Sequence, residues 1–140
     1  MFIQNAWYVA CSVAELEALS PKPLARTICN HKMVLFRGPE GIPVALEDFC
    51  PHRGAPLSLG KVCEGKLVCG YHGLEMGHEG KAVSMPGQRV TGFPSIQVYA
   101  AVERYGFLSV WPGDQAAADV AQLPLFDFLD HPAWTYGGGL

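Results

Sequence analysis

An all-β fold, an antiparallel sandwich or barrel with one short N-terminal helix, is what this sequence predicts. Two observations carry the expectation. Apolar residues make up 49% of the 140, yet they are scattered among 16 Gly and 11 Pro, a mixture that favours short strands and turns over long helices. The apolar runs are also brief and bounded by turn residues, the pattern of many short strands in a sandwich or barrel.

The elements follow in order. Residues 5–10 read as a short strand. Ser12 and Glu15 form a capping box that opens a helix through Leu16 and Leu19, which Pro21 stops. Strands are expected over 24–29, 32–37 and 43–47, the last two joined by the turn signal Gly38-Pro39-Glu40-Gly41. Leu67 and Val68 lead as a strand into a later loop, and 97–103 and 107–111 form a hairpin across Arg104-Tyr105-Gly106. From Asp114 onward, 115–119 and 123–125 read as a surface connector, which divides the chain into a domain over 1–113 and a connector over 114–140.

Composition excludes several classes of function. A net charge of −3 and a pI near 5.9 offer no basic patch for nucleic acid. No apolar run approaches the roughly 18–20 residues of a membrane span. The N-terminus, Met1-Phe2-Ile3-Gln4-Asn5, lacks the charged n-region of a secretory signal. Five cysteines is an odd number, and a reduced, cytoplasmic home is expected.

Chemistry concentrates in Cys50-Pro51-His52 and Cys69-Gly70-Tyr71-His72, with 16 residues between His52 and Cys69. Two Cys and two His are the ligand set of a Rieske [2Fe–2S] centre, with the thiolates on one iron and the imidazoles on the other. Neutral imidazoles leave less negative charge on the metal pair. They raise the potential from about −400 mV for plant-type, all-Cys centres to about −150 to +300 mV. A structural Cys2His2 zinc site uses the same residue types. Zinc spacing, however, groups two ligands of one kind in each half, whereas each half here carries one of each kind. Both halves continue into glycine, at Gly54 and Gly73, which lets the backbone turn tightly around a ligand.

The stretch from Cys50 to Gly60 (Cys-Pro-His-Arg-Gly-Ala-Pro-Leu-Ser-Leu-Gly) resembles the first cluster loop of the Rieske non-haem iron oxygenases, and 69–74 resembles the second. Residues 5–10, 84–88, 102–106 and 110–113 are similar to the oxygenase component of vanillate O-demethylases and of dicamba-type demethylases. The resemblance runs over nearly the whole chain, as an N-terminal Rieske domain. It implies a Rieske fold in which two ligand loops project from one end of the β scaffold. It further implies a [2Fe–2S] cluster on Cys50, His52, Cys69 and His72, fed by an NAD(P)H-dependent reductase carrying flavin and an iron–sulfur centre. The electron acceptor would be a mononuclear Fe(II) in a catalytic oxygenase domain, that of a neighbouring subunit in a homotrimer. Outside the cluster motifs only His31, His78 and His131 remain, far apart, so no facial triad for that iron is expected in these residues. The alternative organisation is a free-standing Rieske ferredoxin serving a separate oxygenase.

Finer readings follow from the resemblance. Respiratory Rieske proteins carry an extra disulfide-bonded Cys in each loop, but the neighbours here are Gly54, Ala55, Gly70 and Tyr71, so no such bridge can form. Cys11, Cys29 and Cys63 are left without an assigned role. Those respiratory proteins also place Ser and Tyr hydroxyls after the second His, at positions that correspond to Leu74 and Met76. Neither can donate a hydrogen bond, which implies a potential at the low end of the range. Met85-Pro86-Gly87 reads as a plain turn or as a loop shielding the cluster, and Arg53 as a surface residue. Trp7, Trp111 and Trp134 read as core or interface aromatics, and His78 and His131 as solvated.

Overall fold

The computed structural model describes residues 3–52, 54–70, 73–87 and 89–123. Among them β1 (Tyr8–Ser12) runs into α1 (Val13–Leu19), followed by β2 (Leu24–Ile28), β3 (His31–Arg37) and β4 (Pro43–Glu47). Four short strands come next: β5 (Lys61–Cys63), β6 (Lys66–Val68), β7 (Glu75–Met76) and β8 (Ala82–Ser84). The long hairpin of β9 (Val98–Arg104) and β10 (Phe107–Trp111) completes the strand order. The expected all-β class and single short helix are both found. Strands β5, β7 and β8, of three, two and three residues, are too short to show an alternation in sequence and were not anticipated. The first strand begins at Tyr8 rather than at Asn5.

Helix α1 starts where its capping box lies. The Glu15 amide donates to Ser12 Oγ at 3.1 Å, and the Ser12 amide donates back to Glu15 Oε1 at 3.3 Å. Six strands form an antiparallel sheet in the order β1-β10-β9-β4-β3-β2. The sheet curls until its two outer strands nearly meet. Pairing of β1 with β10 slips between Val9 and Cys11, and the carbonyl of the intervening Ala10 accepts from Arg26 Nε on β2 at 3.0 Å. A guanidinium thus spans the seam, held in turn by Glu15. The second sheet, β5-β6-β7-β8, is built entirely from chain lying between β4 and β9.

Two apolar clusters hold these layers. Ala10, Cys11, Leu16, Leu24, Met33, Leu35, Ala45, Tyr99, Leu108 and Val110 form the barrel interior. The other cluster joins Val34, Phe36, Val44 and Leu46 to Leu57, Leu67, Leu74, Met76, Met85 and Ile96 from the smaller sheet and its loops. This explains why 33–36 is a continuous apolar run: β3 is buried on both faces, with Met33 and Leu35 inward and Val34 and Phe36 under the second sheet. Trp111 is buried and meets Trp7 edge-to-face at 5.4 Å, as expected of core aromatics.

Residues 114–123 continue as two 3-10 turns tied to the barrel. Gln115 Oε1 accepts from the Ala100 amide at 2.7 Å, Asn5 Oδ1 from the Asp114 amide at 2.7 Å, and the Asp119 carbonyl from Trp7 Nε1 at 2.8 Å. The rest of the expected connector, with His131 and Trp134, lies outside the described residues.

Candidate metal centre

Both ligand motifs leave the ends of strands and close on themselves in the same way. In the first, after β4, the Cys50 amide donates to the Ala55 carbonyl at 2.8 Å and the Gly54 amide returns to the Cys50 carbonyl at 2.7 Å. In the second, between β6 and β7, the Cys69 amide donates to the Leu74 carbonyl at 2.8 Å and the Gly73 amide to the Cys69 carbonyl at 3.1 Å. Each loop is therefore a ring begun by Cys, with glycine four residues on in the left-handed region, at φ +77° for Gly54 and +75° for Gly73. The equal Cys-to-Gly spacing is present in the sequence and marks the two loops as copies of one geometry, although the His falls two residues after Cys50 and three after Cys69.

The loops also touch. A Cβ on Gly60, at the end of the first loop, would lie 1.9 Å from the Val68 carbonyl oxygen and 3.2 Å from the Gly70 nitrogen. A Cβ on Gly70 would in turn lie 3.2 Å from the Leu59 carbonyl oxygen. Backbone packs directly on backbone beside Cys69, which neither composition nor pattern reveals. Pro86 packs on Gly73 of the second loop, its Cδ 3.3 Å from where a Gly73 Cβ would be. The Met85-Pro86-Gly87 segment is thus a turn packed on Gly73, with Met85 buried in the same apolar cluster.

Cys50 and Cys69, 1% and 2% exposed, belong to one apolar cluster, and neither is in a disulfide. Half-buried His52 stands edge-to-face on Phe93 at 5.6 Å, and Phe93 packs against that same cluster. His72, Tyr71, Arg53 and Gln88 lie outside the described residues. Among the described residues no group of three or more His, Cys, Asp and Glu side chains is assembled as a metal site. The fit to an iron–sulfur centre rests on donor chemistry. Two thiols are held at the mouths of glycine-closed loops within one apolar cluster. A thiolate in such a place is costly unless a cation compensates it. Leu74 and Met76, both 0% exposed, supply apolar walls and no hydrogen-bond donor.

The other cysteines and histidines stand apart. Cys11 is buried in the barrel, Cys29 is half-buried and Cys63 is exposed. His78 is at the surface beside Glu79, as expected. His31 has a partner at each ring nitrogen. Its Nε2 meets Gln4 Oε1 at 2.6 Å and its Nδ1 the Tyr99 hydroxyl at 3.3 Å, at the edge of an open polar cleft of about 750 Å³. Burial, with Glu47 adding, pushes the Tyr99 phenol up from its ordinary value. No helix among the described residues is long and apolar enough to cross a membrane.

Comparison with known proteins shows the family. The family model for the Rieske [2Fe–2S] domain matches residues 6–101. The chain is 63% identical over 140 residues to a vanillate O-demethylase oxygenase subunit of Pseudomonas sp., covering 100% of this chain and 39% of that protein. It is 44% identical over 141 residues to the oxygenase component of dicamba O-demethylase from Stenotrophomonas maltophilia, covering 99% of this chain and 40% of the relative. Among solved structures, dicamba monooxygenase bound to dicamba superposes with a TM-score of 0.86 at 42% identity, over 94% of this chain and 39% of that one. The chain thus spans about two-fifths of the length of these relatives. By the family model and these identities the chain belongs to the Rieske [2Fe–2S] domain family, and a [2Fe–2S] cluster is the cofactor that membership implies.

Proposed function

We propose that this chain is the electron-entry domain of an aromatic O-demethylase oxygenase of the vanillate type, with Cys50, His52, Cys69 and His72 as the cluster ligands. The observation that supports the assignment is the pair of like-folded loops whose cysteines share one apolar cluster. Cys50 and Cys69 would hold one iron as thiolates, and His52 and His72 the other as imidazoles. The bound centre supplies a carrier that accepts and releases one electron at a time.

The remaining work falls to the chain. Leu74, Met76 and Met85 exclude water from the cysteine side. Phe93 packs edge-to-face on the half-buried His52 ring, and on this reading the imidazole edge passes the electron toward a partner's carboxylate. On this reading an NAD(P)H-dependent flavin and iron–sulfur reductase is the donor. The acceptor is a mononuclear Fe(II) in a catalytic oxygenase domain, contributed by a neighbouring subunit of a homotrimer. The whole assembly would remove an aryl O-methyl group, with vanillate the substrate by analogy with the Pseudomonas relative. The free-standing ferredoxin has less support, because the relatives named above are oxygenase components.

The test is to reconstitute the protein with iron and sulfide and record EPR after dithionite reduction. A [2Fe–2S] signal that Cys50→Ser and Cys69→Ser each abolish is expected. A colourless, EPR-silent sample containing zinc overturns the assignment.

A further inference from the structure

We propose that Asp48 is a positioning residue for this centre. Through Ser58 it clasps the base of the first ligand loop and sets that loop's placement against the second. The proposal rests on the ligand assignment above and extends it to a side chain outside the ligand set.

The clasp is built from two hydrogen bonds on one carboxylate. The Ser58 amide donates to Asp48 Oδ1 at 2.7 Å, and the Ser58 hydroxyl donates to Oδ2 at 2.6 Å. With both oxygens accepting, the group acts as a fork that fixes direction as well as distance. The residues it joins are ten apart in sequence, and Cys50 and His52 lie between them. The bonds from Cys50 to Ala55 and from Gly54 to Cys50 shape the tip of that loop, whereas the Asp48–Ser58 pair closes its base.

Each end of the clasp is anchored. The Asp48 amide donates to the Lys32 carbonyl at 2.9 Å, which fastens it to β3, the strand shared by both apolar clusters. Ser58 is the middle residue of the 3-10 turn Leu57–Leu59, and Leu57 is fully buried in the cluster that holds both cysteines. Two residues after Ser58, Gly60 rests on the Val68 carbonyl and the Gly70 nitrogen, on either side of Cys69. A connected path therefore runs from β3 through Asp48, Ser58 and Gly60 to the second cysteine. Among the described residues no Lys, Arg or His forms an ion pair with Asp48, so these hydrogen bonds are its described polar partners.

The experiment uses the cluster-loaded protein and three variants. Ser58→Ala removes the hydroxyl bond and keeps the amide bond. Asp48→Ala removes both. Asp48→Asn keeps an acceptor oxygen for the amide but loses the charge. Iron release to a chelator should speed roughly tenfold in Ser58→Ala, the weight of one hydrogen bond to a charged group, and further in Asp48→Ala. The reduced EPR line shape should broaden in the same order while far-UV circular dichroism stays native. Asp48→Asn should rescue most of the retention yet shift the midpoint potential to more positive values, since a nearby negative charge opposes an added electron. If Asp48→Ala does not fold, Ser58→Ala and Asp48→Asn still decide the matter. A wild-type protein without the signal refutes the ligand assignment. A wild-type signal that the variants leave unchanged, with unchanged iron release and potential, refutes the clasp alone.

Discussion

Replacing Gly60 by alanine isolates the contact between the two ligand loops. Gly60 has φ −88° and ψ −151°, ordinary extended backbone that alanine adopts without penalty, so the whole effect comes from space. The added methyl would sit 1.9 Å from the Val68 oxygen, 2.9 Å from its carbonyl carbon and 3.2 Å from the Gly70 nitrogen. All three are backbone atoms, so no side-chain rotation relieves the clash. Reaching even 3.0 Å from the oxygen requires the loops to part by about 1.1 Å beside Cys69. Overpacking of this kind costs about 1–3 kcal/mol. A control separates that cost from its location. Gly41 has φ +78° and nothing within 4 Å, so Gly41→Ala carries only the left-handed penalty of about 1–2 kcal/mol, in the β3–β4 turn. Urea denaturation should show comparable losses for the two variants, while iron and sulfide content and the reduced EPR signal change only in Gly60→Ala. Equal metal content and identical spectra in both would refute the claim that this contact sets the spacing of the cysteines.

Three further outcomes are expected. The midpoint potential should lie at the low end of the Rieske range, about −150 mV, because Leu74 and Met76 are buried and cannot donate; a strongly positive value in a redox titration would contradict this. Arg26→Ala should lower stability by about 1 kcal/mol, a figure discounted for partial exposure, by opening the β1–β2 seam; an unchanged urea midpoint would show that the seam holds without it. Burial, then Glu15, pushes the Cys11 thiol up from its ordinary 9.0, and Tyr99 is raised likewise by burial and Glu47. Both groups stay protonated in the fold after the unfolded chain has begun to ionise. Stability is therefore fully present below the unfolded values and lost as pH rises through the folded ones. Urea midpoints should fall as pH rises beyond 9.0, the ordinary value of the thiol, and further beyond 10.0, that of the phenol, less steeply in Cys11→Ala, and a flat profile in the parent protein would rule the linkage out.

The proposed ligand motifs stand out in the sequence because metal chemistry restricts residue type: Cys and His in those contexts have few other uses. The sequence also discloses α1, whose capping box is a local signal, and the longer strands, whose apolar residues exceed a turn's length. Of the smaller sheet only β6 is legible, through Leu67 and Val68, because β7 is two residues long and owes its existence to neighbours rather than to propensity. The Asp48–Ser58 bonds and the Gly60 contact are equally invisible, since they join residues that no period or spacing relates. The two-sided burial of β3 lies between these cases. Its run of Met33, Val34, Leu35 and Phe36 signals burial, but only the second layer explains why both faces need it.

The pairing of β4 with β9 has a consequence for how such a protein can change. Leu46 lies opposite Val98, so the chain departs from the barrel and rejoins it at one place, having made in between the whole layer that carries the proposed ligands. That layer is a detour whose two ends are already neighbours. It interrupts no barrel ladder, and its main hold on the barrel is through Val34, Phe36, Val44 and Leu46. Segments with adjacent ends can be lengthened, shortened or exchanged between hosts without moving the host's register. The site is thus a cassette, and a graft cut at Glu47 and Gln97 that carries a different layer should leave the six-stranded barrel intact, provided those four side chains stay covered.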